Sequence, residues 1–408
     1  MADPLRRWVK VGTVALALVA GGVVAACASP DRPPATTSTT QAPVTPEPIE
    51  TAPPSQTPTA TPAPTPTPVP TPAPTPTPEP TPTPVPAPLT GRLVAPDVAQ
   101  RHPIAVMIDD LGPARPQSGF NSAAVVWHAP AEGGIPRYMM IFQDQIPASV
   151  GPVRSARYYY IAWAAEWKAL YAHSGGSPQA LQTLRAKGAG QLVYNADEFR
   201  WGPYFHRTSD RFSPHNLYTA GKSLRKLAAR VGADDGPMEP VWQFASDAPL
   251  AQRPNGGTIQ VAYLANKIKY SYDRKTNSYF RGVTGEAKQV DAATGKRVAP
   301  KNVVVMLMRF GPLNDGHPNK HRLEAEVVGK GKAWIATNGR TIAGTWRKKS
   351  LTAPTLFYGA DGKPVTLTIG QTFIQVLKQG SKVAVKDGKV PPPVRLQRVA
   401  RGVSGIAN

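Results

Sequence analysis

The chain has 408 residues, 47 prolines, one cysteine and a formal net charge of +21. A single cysteine excludes an intrachain disulfide and any thiolate metal cluster, while the length leaves room for two ordinary domains. The positive charge lies almost wholly after residue 96 and favours anionic partners (envelope polymers, acidic lipid headgroups or nucleic acid), with plain solubility as the competing explanation.

Arg6, Arg7 and Lys10 precede an apolar run, Val11 to Val24, which ends in Val24-Ala25-Ala26-Cys27. This is the three-part pattern of a secretory signal, and its end reads as a bacterial lipobox with Cys27 as the lipidated residue. The run is short and interrupted by glycine, so cleavage is expected over a retained anchor, which is the alternative. Residues 1–27 are therefore assigned to a lipoprotein signal, and the protein to the extracytoplasmic face of the cell membrane, held by lipid on Cys27. No nucleic-acid partner is expected in that setting.

Residues 28–95 are read as a disordered Pro/Thr-rich tether, with Thr-Pro-Ala-Pro-Thr-Pro-Thr-Pro at 61–68. Proline fixes φ and removes donors, so this segment is expected to be extended, reaching on the order of 150 Å at about 3 Å per residue.

A first globular region is expected over 96–235, of mixed α/β character. Pro103 to Ile108 reads as a buried strand tipped by Asp109-Asp110, with Val125 to His128 and Tyr138 to Phe142 as two more. Between and after them run Glu132-Gly133-Gly134-Ile135-Pro136-Arg137 and Gly151-Pro152-Val153-Arg154-Ser155-Ala156-Arg157, where charges gather among glycine and proline as they do in binding loops. Ser155 to Trp167 is apolar almost all round and reads as a buried helix. Ala169 to His173 reads as a strand, and Ser177-Pro178 as the cap and first turn of a helix that stops at Gly188. A polar turn holding His215 and Asn216 precedes a helix near Ala220 to Val231.

Several of these stretches occur in one order: IAVMID at 104–109, ARPQSG at 114–119, EGGIPR at 132–137, GPVRSAR at 151–157, HSGGSP at 173–178 and PHNLY at 214–218. Together they resemble the YerB-type family of bacterial lipoproteins over roughly residues 100–380. The resemblance implies a two-domain fold at the cell surface and no assigned activity. Where that family has Tyr-Glu, this chain has Trp127-His128, and its Asp-Asn is here Asp109-Asp110. A catalytic role that needs a carboxylate at position 128 is thereby put in doubt.

A second region, 240–385, reads as all strand, mainly antiparallel, in a small barrel or sandwich. Its expected strands begin with Thr258 to Tyr270, and Asn338-Gly339 marks a two-residue hairpin. Tyr263, Tyr270, Tyr272, Tyr279, Trp334 and Trp346, with Lys267, Lys269, Arg281 and Arg347, form either an aromatic-basic surface for a polymer or, the favoured alternative, core. Residues 386–408 are expected to be a disordered basic tail. The fold class is thus α+β or α/β: a mixed sheet with helices, followed by a mainly antiparallel β region.

Three chemistries remain. The first is binding of an anionic envelope ligand, a peptidoglycan peptide or wall polymer, or of an envelope protein. Arg115, Glu132, Arg137, Arg154, Arg157, Ser177, His215 and Asn216 are its candidate residues, with Arg137, Arg154 and Arg157 as the clamp. The second is a hydrolase or transferase using Asp109 or Glu132 with His173 or His215, although no nucleophile-elbow sequence is present. The third, a metal site from Asp109, His173 and His215, lacks ligand spacing, so no metal or cofactor is assigned. Against all three stands a purely structural ionic network.

Overall fold

The computed structural model describes residues 82–392, which fall within one compact unit, Thr77–Asn408. The signal segment, Cys27 and most of the expected tether and tail lie outside the described residues. Among the described residues no helix is long and apolar enough to cross a membrane.

In chain order the main strands are β1 (Ile104–Asp109), β2 (Val125–Pro130), β3 (Pro136–Phe142), β4 (Leu170–His173), β5 (Tyr194–Asp197), β6 (Asn255–Ala262) and β7 (Lys267–Asp273). They continue with β8 (Ser278–Val283), β9 (Asn302–Met308), β10 (Gly329–Thr337), β11 (Arg340–Lys348), β12 (Leu356–Gly359), β13 (Thr372–Lys378) and β14 (Val383–Lys389). The helices are α1 (Tyr158–Ala164), α2 (Pro178–Leu184) and α3 (Gly221–Arg230). Ten strands form one sheet in the order β12-β11-β10-β9-β13-β2-β3-β1-β4-β5, and β8-β7-β6-β14 form a second, antiparallel sheet. The fold is α+β, as the sequence predicts, with a mixed first region and a largely antiparallel second one.

The two regions nevertheless share the large sheet. Strand β13 pairs in parallel with β9 on one side and with β2 on the other, Thr372 facing Val125. The second region is therefore not a closed barrel of its own. Both faces of the sheet are covered, which explains the unbroken apolar run of β1. Ala105 and Met107 point to a cluster with Tyr159, Tyr160 and Trp163 of α1. Ile104, Val106 and Ile108 point to the other cluster, with Leu224 and Leu227 of α3 and Ile259, Ile268 and Tyr270 of the second sheet. Helix α1 is fixed on its side by Trp163, stacked on Trp127 at 4.5 Å, and by the Tyr160 hydroxyl, which takes the Ala129 N–H at 3.0 Å.

Several boundaries differ from expectation. The tether ends before residue 85, because Val85–Pro86 pairs with Leu93–Val94 and the turn buries Leu89 and Thr90. Thr90 Oγ1 donates to Asp144 at 2.8 Å, so this piece belongs to the fold. At the other end, Lys386 to Lys389 are strand, not tail, because β14 completes the second sheet against β6. Thr258 to Tyr270 is two strands, β6 and β7, joined by a turn at Tyr263 to Asn266. Helix α1 starts only at Tyr158, and α2 ends at Leu184, short of Gly188. The Asn338-Gly339 hairpin is present, both residues at positive φ, 50° and 74°. Tyr263, Tyr270, Tyr272, Tyr279, Trp346 and Arg281 are buried, so the aromatic-basic set is mostly core, while Lys267, Lys269 and Arg347 remain exposed.

Candidate functional site

The three charged loops do come together, and the backbone shows why. The segment after Gly151 runs beside the end of β1: Asp109 N–H donates to the Pro152 carbonyl at 3.0 Å, and Arg154 N–H to that of Met107 at 2.9 Å. On its other side Val153 N–H donates to the Leu217 carbonyl at 2.7 Å, which brings in the turn that carries His215. Arg137 faces Asp109 across β1 and β3. Arg157 is the residue that precedes α1.

Within this cluster the arginines are unequally occupied. Glu132 sits between two of them: Arg137 Nη2 donates to Oε1 at 2.8 Å, Arg157 Nε to Oε2 at 2.7 Å, and Arg157 Nη2 also to Oε1. Ser155 Oγ accepts from both guanidinium groups, at 3.0 and 3.2 Å. Burial pushes both arginine pKa values down, but a guanidinium stays charged, so the pair of cations is held by one carboxylate. Arg137 and Arg157 are therefore parts of an ionic clasp that fixes the Gly133-Gly134 turn to the start of α1. This corrects the three-arginine clamp, and Glu132 between two cations is no general acid. Arg115 is committed as well, to the Asp110 carboxylate at 2.9 Å and the Thr284 carbonyl at 2.6 Å.

Arg154 differs. Its Nε lies 3.1 Å from Asp109 Oδ2, an ion pair without hydrogen-bond alignment, so that Nε is a buried donor with no hydrogen-bond partner among the described residues. Its side chain is 22% exposed, against 6% for Arg157. The same Asp109 oxygen accepts from His215 Nδ1 at 2.7 Å, and Asp109 Oδ1 accepts the Leu111 N–H at 3.1 Å. That contact fixes the ring orientation through Nδ1 and leaves His215 Nε2 without a partner among the described residues. The arrangement can hold an anion on Arg154 and accept a proton at His215 Nε2.

The surroundings extend this rim. Arg207 bridges Asn216 at 3.0 Å and Glu198 at 3.2 Å, and Glu198 accepts from Ser174 Oγ at 2.8 Å. Asn216 thus holds the His215 turn and is not a free ligand group. Next to these ties stand Phe212 and Phe199, 92% and 78% exposed. His173 has both nitrogens engaged, with the Gly175 carbonyl and the Asn195 side chain at 2.8 Å each, and it is buried. Ser177 caps α2 through the Ala180 N–H. Neither is placed to act on a ligand, and no group of three His, Cys, Asp or Glu among the described residues is arranged to hold a metal.

One cluster escaped sequence reasoning. Asp110, fully buried, accepts from His128 Nε2 at 2.9 Å, Tyr138 at 3.0 Å, Asn266 at 2.6 Å and Arg115. Buried Arg281 stands beside His128 at 3.3 Å and over the Tyr138 ring. Burial raises the Asp110 carboxyl, but the His128 hydrogen bond and charge, with Arg115 and Arg281, outweigh it and hold it low. Burial pushes the His128 imidazolium down. The two departures from the YerB-type pattern, Asp110 and His128, thus touch each other.

Comparison with known proteins gives a consistent result. The N-terminal domain of the protein family of unknown function DUF3048 matches residues 89–234, and its C-terminal domain matches residues 259–374. The chain is 31% identical over 310 residues to the "Putative lipoprotein YerB" of Bacillus subtilis (strain 168), covering 74% of this chain and 88% of that protein. It is also similar to the crystal structure of YerB protein from Bacillus subtilis, at 27% identity and a TM-score of 0.64, over 73% of this chain and 99% of that one.

Proposed function

The chain belongs to the DUF3048 family, and from that premise we propose that it is a lipid-anchored protein of the outer membrane face that binds an anionic envelope polymer at the Arg154–His215 rim. One observation carries the reading: among Arg137, Arg154 and Arg157, Arg154 alone makes no aligned hydrogen bond to a carboxylate, and its side chain is the most exposed, 22% against 8% and 6%. A phosphodiester or carboxylate meets that guanidinium and the His215 ring together. Phe199 and Phe212, both exposed, offer flat apolar faces to sugar rings.

A second reading has its own support. Asp109 orients His215 as it would a general base, so an envelope hydrolase or transferase could use Nε2 to take a proton from water or a sugar hydroxyl. One experiment separates the two. The protein is titrated with muropeptides and with a polyphosphodiester wall polymer, and binding and product release are followed together. Binding without product, lost in Arg154→Ala, supports the binder. Product formation lost in His215→Ala supports the enzyme. Binding unchanged in Arg154→Ala refutes the rim as the site.

A further inference from the structure

We propose that a second site, the groove between the Glu132–Gly134 turn and the excursion at residues 310–325, takes an acyl chain of an anionic membrane lipid. The groove has a volume of about 1020 Å³, the size of a roomy small-molecule site. Its walls are Tyr263, Leu264, Phe310, Leu313, Leu323 and Leu377. Leu264 at its edge is 88% exposed, large apolar surface that folding leaves in water.

The groove is not uniformly apolar. Lys378, Arg322, His317 and His321 border it, against one carboxylate, Asp315. Arg322 holds that carboxylate at 2.6 Å, so the positive charge of exposed Lys378 is left over. A trough apolar along its length and cationic at its border fits a molecule apolar along its length and anionic at one end. A sugar or peptide polymer would leave its hydrogen-bonding groups unpaired against these walls. A lipid anchor on Cys27 ties the domain, through its tether, to a membrane made of such lipids.

The groove and the rim are separate. Gly133 and Gly134 take positive φ, 63° and 72°, and Gly134 packs on Leu264 so closely that a Cβ there would lie 2.5 Å from its Cδ2. The turn clasped by Arg137 and Arg157 is thus the end wall of the groove, and neither Arg154 nor His215 lines it.

Residues 77–408, the compact unit, are incubated with vesicles of phosphatidylglycerol or of phosphatidylcholine, re-purified, and extracted for lipid counting by mass spectrometry. A single phosphatidylglycerol per chain is expected, with phosphatidylcholine retained about tenfold less, one decade per 1.4 kcal/mol of lost charge pairing. Leu264→Asp and Lys378→Glu should each lower retention about tenfold at unchanged melting temperature. Arg154→Ala should retain lipid as the parent does, which keeps this outcome apart from that of the rim. No retained lipid, equal retention of both lipids, or parental retention by Lys378→Glu overturns the proposal. Because Lys378 is exposed, that last arm stands even where Leu264→Asp fails to fold.

Discussion

Arg154 and Arg157 lie three residues apart in one motif, yet they should respond in opposite ways to truncation. Arg157→Ala removes two contacts to Glu132 and one to Ser155 from a side chain only 6% exposed. Breaking a buried ion pair costs about 3–5 kcal/mol, because the remaining charge is stranded. Here Glu132 is 27% exposed and keeps Arg137 at 2.8 Å, so water and the second arginine recover part of that loss. We expect about 2–3 kcal/mol, or a fall in melting temperature of about 3–5 °C for a unit of this size. Arg154→Ala leaves Asp109 bonded to His215 and Leu111, and should cost about 1 kcal/mol, or about 1–2 °C. Thermal unfolding by circular dichroism, paired with polymer binding by calorimetry, reads both effects. Arg157→Ala should be the less stable protein and, below its transition, still bind; Arg154→Ala should be the more stable and not bind. If Arg154→Ala melts as early as Arg157→Ala, or Arg157→Ala melts with the parent, the division between clasp and rim is wrong.

Two further outcomes follow from the buried cluster around Asp110. His128 has its pKa lowered by burial, while in the unfolded chain a histidine titrates near 6.5. Below that pH the unfolded state binds the extra proton, so stability is complete above about pH 6.5 and is lost as pH falls towards the folded value. His102, also lowered by burial, acts with the same sign, and Asp110 adds its share only at lower pH. The denaturant midpoint should be lower at pH 5.5 than at pH 7.5; an equal or higher midpoint at pH 5.5 would falsify the assignment. Asp110→Asn should cost about 3–5 kcal/mol by leaving Arg115 and Arg281 without their anion. Adding His128→Glu returns a carboxylate to the same contact, and the double variant should be about 1–3 kcal/mol more stable than the two single losses sum to. Simple additivity in urea unfolding would mean that the two positions are independent.

Local chemistry announced much of this fold. The apolar run of β1, the Asn338-Gly339 turn and the Ser177 cap each carry their cause within a few residues. The place of β13 was not legible, because nothing near Thr372 says that its neighbour is Val125 and not another strand of its own region. The β6–β7 turn was missed for a local reason: Tyr263-Leu264-Ala265-Asn266 has neither glycine nor proline, and exposed Leu264 prolongs the apolar pattern. At the site, sequence gathered the right charges but could not apportion them. Glu132 claims Arg137 and Arg157, while Asp109, shared with His215, leaves Arg154 partly free. Arg281 stayed open between surface and core because an arginine among tyrosines looks the same in sequence in either place; it is buried.

The parallel seam β9-β13-β2 has a bearing on how such a chain matures. During synthesis the amino-terminal half emerges first, and its strand β2 then presents a bare edge, open to pairing with any other extended chain. The edge closes only when residues 372–378 have followed, about 250 residues later in synthesis, so topology makes this a slow folder that needs its whole length. Neither family half is then expected to fold when made alone, whereas the two halves, made as separate chains, should restore one another by supplying the missing strand.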